Sequence, residues 1–131
     1  MGLQEKKAAQ SIKDQYFNDY QTELNQIVGK ELPIEINWNS FDLNSIKFIP
    51  SVCLQRTVDA FKEVCADNFG KEAVQEGINK IAVNNIDEST AADNKSITLE
   101  AGVLTINAAY GGHHSGFFTD TTIKEHIENK L

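Results

Sequence analysis

Arg56 is the only arginine in this chain of 131 residues, so no guanidinium cluster exists to grip phosphates by paired hydrogen bonds. Basic side chains are also outnumbered. Twelve Lys and Arg stand against nineteen Asp and Glu, a formal charge of −7. Generic binding to DNA, RNA or an anionic membrane needs Lys and Arg at phosphate, so neither nucleic acid nor membrane is an expected partner, and nucleotide chemistry is disfavoured. Long apolar runs are missing as well. The stretch Met1-Gly2-Leu3-Gln4-Glu5-Lys6-Lys7 leads into a polar amphipathic segment and reads as neither secretory signal nor membrane anchor. Cysteine is scarce: Cys53 and Cys65 fall on one expected helix, about 18 Å apart along its axis, too far to bridge. Two free thiols fit a reducing compartment, and a cytoplasmic location is expected.

Motifs that announce a reaction are absent too. The chain has no H-E-x-x-H, no Gly-x-x-x-x-Gly-Lys-Ser/Thr phosphate loop, no Gly-x-Gly-x-x-Gly and no Gly-x-Ser-x-Gly. No cofactor is implied and no catalytic residue is assigned. Ser115 beside His114 lacks the nucleophile's flanking glycines, and Cys53 and Cys65 sit on a core helix, where thiols are usually inert.

What remains is a chain that is 40% hydrophobic, enough for one core. A single domain over residues 1–131 is expected, with residues 1–8 frayed. Residues 4–28 carry a helical stripe of Ala9, Ile12, Tyr16, Tyr20, Leu24 and Ile27, stopped by Gly29. Pro33 precedes the alternation Ile34, Ile36, Trp38, which reads as a half-buried strand. Residues 39–45 read as a loop. A second helix is expected from Ser51 to Asp67 with Leu54, Val58, Phe61 and Cys65 on one face, ended by Asn68-Phe69-Gly70. A short helical turn over residues 71–77, a strand over 80–86 and an exposed loop over 87–94 follow.

The sharpest local signal is the hairpin of residues 96–107. A two-residue Ala101-Gly102 turn pairs Leu99 with Leu104 and Ile97 with Ile106 on one face, and Thr98 with Thr105 on the other. A final helix starts near Thr119 or Asp120 and buries Ile123 and Ile127. The element order predicts an α+β domain: an antiparallel sheet of about four strands, packed on one face by two or three helices.

All three histidines lie between residues 113 and 131, two of them in the loop Tyr110-Gly111-Gly112-His113-His114-Ser115-Gly116. Imidazole titrates near neutrality and glycine lets backbone approach a ligand, so Tyr110, His113, His114, Asp120 and His126 are the candidate ligand-binding residues. An alternative makes His113, His114 and His126 metal ligands, helped by Asp120 or Glu125. Anion binding at the amides of residues 118–121 is opposed by the Asp120 carboxylate.

The pairs Asp59/Glu63 and Glu72/Glu76, and the Asp87-Glu88 doublet, read as solvated acidic surface able to guide a basic partner. The expected role is therefore a small, acidic, non-catalytic binding protein. Its partner would be a basic protein or a small molecule, and a homodimer is compatible with the pattern. The competing expectation is a ligand- or metal-binding protein, including a hydrolytic enzyme, built at the His113/His114 loop and the C-terminal helix.

Overall fold

The computed structural model describes residues 1–112 and 114–131. Helix α1 (Leu3–Ile12), a π-helical turn (Lys13–Phe17) and α2 (Asn18–Val28) run end to end as one rod. Gly29, at φ 82°, takes the left-handed conformation that closes it, its N–H bonding the Asn25 carbonyl at 2.8 Å. The π turn places an extra residue between Ile12 and Phe17 and rotates everything after it. Ala9 and Ile12 are buried before the turn, and Leu24 and Val28 after it. Tyr16, expected on the buried stripe, is 45% exposed, and Val28 is more deeply buried than Ile27.

Strand β1 (Ile34–Ile36) leads through a 3-10 turn (Trp38–Ser40) into α3 (Leu43–Ile46). Asp42 opens α3 with a capping box: its carboxylate accepts the N–H groups of Asn44 and Ser45, while Ser45 Oγ accepts the Asp42 N–H at 3.0 Å. A second π-helical turn (Ile49–Leu54) runs into α4 (Gln55–Val64), whose Val58, Ala60, Phe61 and Val64 are buried. Asn68-Phe69-Gly70, expected to end a helix, instead begins α5 (Asn68–Gly77). Asp67 caps it by accepting the Gly70 N–H at 2.7 Å. A Cβ on Gly70 would collide with the Val64 carbonyl oxygen, so glycine is what lets α5 start hard against the end of α4.

After β2 (Lys80–Asn85), a 3-10 turn (Glu88–Thr90) and α6 (Ala91–Asn94) stand where an irregular loop was expected, and Ala91 is fully buried. The hairpin β3 (Ser96–Glu100) and β4 (Val103–Ala108) has the expected register, turning at Ala101 and Gly102 with φ of 52° and 80°. A 3-10 turn (His114–Gly116) then precedes α7 (Asp120–Lys130), capped by Thr119 Oγ1 and burying Ile123 and Ile127.

The sheet order is β1-β2-β4-β3. β1 pairs with β2 and β2 with β4 in parallel, and only β3 runs antiparallel to its neighbour β4. The expectation of an antiparallel sheet is thus corrected: the sheet is mixed and mostly parallel. Parallel neighbours need a long crossover, and residues 37–79, carrying α3, α4 and α5, supply one between β1 and β2. Residues 86–95 then carry the chain past the position that β4 occupies, so the hairpin docks on β2 through its second strand.

Burial is one-sided, as expected. Ile34, Ile36, Ile81, Val83, Leu104 and Ile106 are buried under the helices, while Glu35, Ala82, Asn84, Thr98, Thr105 and Asn107 are half or fully exposed. On that open face the Asn37 amide donates to Asn84 Oδ1 (3.1 Å), Asn84 to Asn107 Oδ1 (2.9 Å), and Asn107 to Ser96 Oγ (3.1 Å). This polar row runs from the end of β1 across β2 and β4 to β3 and makes the open face hydrophilic. Among the described residues, no helix is long and apolar enough to cross a membrane.

Candidate functional site

Parallel strands that end side by side leave a crevice at their carboxyl edge, where the outgoing segments diverge. Here β1, β2 and β4 end together, and the segments leaving them border a cleft of about 440 Å³. Ser40, Asp42 and Ser45 come from the segment after β1, Asn85, Asp87 and Glu88 from the end of β2 and beyond, and Gly111 from the segment after β4.

Asn85 ties these segments together. Its Oδ1 accepts the Tyr110 N–H at 2.9 Å, its Nδ2 donates to the Ser40 carbonyl at 3.1 Å, and its own N–H donates to Ser40 Oγ at 2.9 Å. All three strand ends are therefore held by one residue.

Around it the cleft is acidic. The backbone N–H and then the hydroxyl of Ser45 hold the Asp42 carboxyl below the usual range, and the hydroxyl and N–H of Ser89 do the same for Asp87. These hydrogen bonds all fall on one oxygen, Oδ1, of each carboxylate. Glu88 reaches over the backbone of Gly111, where a Cβ would come within 2.6 Å of Glu88 Oε2. Among the described residues, no Lys or Arg lines the cleft. The arrangement leaves the Oδ2 atoms of Asp42 and Asp87 for a cation that brings its own hydrogen-bond donors.

The described residues among those singled out from sequence do not gather at one site. Tyr110 is 4% exposed, its ring stacked on Phe41 at 5.8 Å and its hydroxyl paired with the Cys53 thiol. Burial pushes its phenol well above the usual value, so the side chain belongs to the core while its backbone N–H braces the cleft. His114 is exposed on its 3-10 turn, tilted against Phe117 at 6.2 Å. His126 is half-buried on α7, edge-on to Phe118 at 5.7 Å, and burial, then the charge of Lys130, lowers its pKa. Asp120 opens α7 beside Glu63, whose carboxyl is raised by desolvation and then by the hydrogen bond and charge of Asp120. His113 lies outside the described residues. Among those described, no group of three or more His, Cys, Asp or Glu is placed to hold a metal ion.

Sequence reading missed Asp42, Ser45 and Asn85 as site residues. The Asp42-x-x-Ser45 capping box was a usable signal, but an asparagine at a strand end looks the same whether it turns a chain or braces a cleft.

Comparison of the chain with protein-family models, with curated proteins and with solved structures finds no match.

Proposed function

We propose that this protein is a small acidic interaction module whose cleft at the carboxyl ends of β1, β2 and β4 receives a lysine or arginine side chain of a basic protein partner. One observation carries the reading: Asp42, Asp87 and Glu88 line a concave site with no Lys or Arg among its described walls. Local hydrogen bonds keep Asp42 and Asp87 ionised and use Oδ1, so Oδ2 of each can meet an incoming ammonium or guanidinium. Both carboxylates are exposed, so a single contact with a cation is screened by water, and the attraction is the sum of several such contacts. The formal charge of −7 adds long-range attraction for a basic surface.

Titration of the isotope-labelled protein with a hexalysine peptide, followed by amide NMR shifts, tests this. Shifts should concentrate on residues 40–45, 85–88 and 111, and weaken as salt rises. The double variant Asp42→Asn, Asp87→Asn keeps side-chain oxygens able to cap and should bind about tenfold more weakly. Shifts scattered over the whole acidic surface, or unchanged affinity in the double variant, would overturn the assignment.

A further inference from the structure

The two π-helical turns, Lys13–Phe17 and Ile49–Leu54, touch one another. A π turn is wider and less well bonded than an α turn, and such turns gather at functional sites. These two border one groove of about 520 Å³, a size typical of small-molecule sites. Ala8, Ile12, Tyr16 and Tyr20 wall it from the rod, and Lys47 and Pro50 from the opposite side. The first π turn is what brings Tyr16 here, because the added residue drops it from the buried stripe and leaves its ring 45% exposed. Tyr20 is fixed in the wall by its hydroxyl, which donates to Gln55 Oε1 at 3.0 Å. Lys47 Nζ lies over the Phe48 ring, 5.3 Å from its centroid, which steadies the charged end of an otherwise mobile side chain.

The charge of the groove is opposite to that of the cleft. Among the described residues, Lys47 is its one charged lining residue and no carboxylate lines it, in a chain with nineteen acidic residues against twelve basic. We propose that this groove binds a small, flat, largely apolar molecule bearing a single carboxylate, with its ring against Ile12, Tyr16 and Pro50 and its carboxylate at Lys47 Nζ. An aromatic carboxylic acid has this chemistry. The proposal is independent of the acidic cleft, which would repel such a ligand.

The probe is 1-naphthoate, with 1-naphthalenemethanol as its uncharged counterpart, each followed by amide and methyl NMR shifts on the full chain. Saturable naphthoate shifts should fall on Ala8, Ile12, Tyr16 and residues 47–51. Lys47→Gln, a change at an exposed position, should weaken naphthoate about fivefold and leave the alcohol unchanged, since one exposed charge contact is worth about 1 kcal/mol. Tyr16→Ala should weaken both. Absence of saturation at millimolar probe, shifts centred outside the groove, or equal naphthoate affinity in Lys47→Gln would overturn the proposal.

Discussion

Asn85 Oδ1 accepts the backbone N–H of Tyr110 at 2.9 Å, joining the end of β2 to the end of β4. Tyr110 is buried, so no water can replace this acceptor cheaply. Asn85→Ala strands that N–H and also frees the Ser40 carbonyl from its partner. The expected cost is about 1–3 kcal/mol in urea unfolding, together with weaker hexalysine binding because Asp42 and Gly111 lose their common brace. Asn85→Asp restores the acceptor but not the donor, and should recover part of the stability.

Ile12 and Phe17 are five residues apart and both meet the core; the π turn brings them towards one face, where α-helical spacing would hold them about 140° apart. Deleting the exposed Gln15 makes the spacing four, and an uninterrupted α-helix can then serve both ends. Circular dichroism should show helix content retained, and stability should fall by less than about 2 kcal/mol. Deleting Asp19 instead turns Leu24 and Val28 away from the core and should cost more than about 4 kcal/mol. Equal losses in the two deletions would mean that the π turn does not set the phase of the rod.

Burial pushes the Cys53 thiol from its ordinary 9.0 up to about 12, and pushes the half-exposed Cys65 thiol upward as well. Cys53 therefore keeps its proton in the folded chain at pH values where an unfolded chain would release it. Its contribution is fully present below pH 9.0 and is lost as pH rises from there towards about 12, at up to about 1.4 kcal/mol per pH unit. Tyr110, raised in the same direction, adds to the loss above pH 10.0. Urea midpoints should be level from pH 7 to 9 and fall by pH 11. Iodoacetamide at pH 8 should modify Cys65 alone, as read by mass spectrometry.

Where neighbours in sequence become neighbours in space, the chain was legible. The pairing of Ile97 with Ile106 and Leu99 with Leu104 follows from a two-residue turn and a period of two, and it holds residue for residue. Thr119 and the spacing of Ile123 and Ile127 likewise locate α7. Strand direction was not legible, because Ile34 and Ile36 alternate identically in a parallel or an antiparallel ladder: periodicity selects a face and says nothing about a partner. Gly70 misled for a related reason. A glycine after a helix usually ends it, yet here a clash with Val64, visible only in three dimensions, makes glycine necessary at a helix start. Of the cleft, the Asp87-Glu88 doublet was read as acidic surface, whereas the link from Asn85 to Ser40 and Tyr110 spans forty-five and twenty-five residues and leaves no local trace.

Because β4 sits between β2 and β3, the sheet cannot grow outward strand by strand in chain order. β3 pairs only with β4, so it joins the sheet no earlier than its partner, and the hairpin's second strand must dock against β2. Until it does, β2 presents a bare ladder of amides and carbonyls that another polypeptide could template on. Folding speed and aggregation during refolding should both depend on how fast that one docking event occurs, so loosening the Ala101-Gly102 turn would be felt first in kinetics and yield.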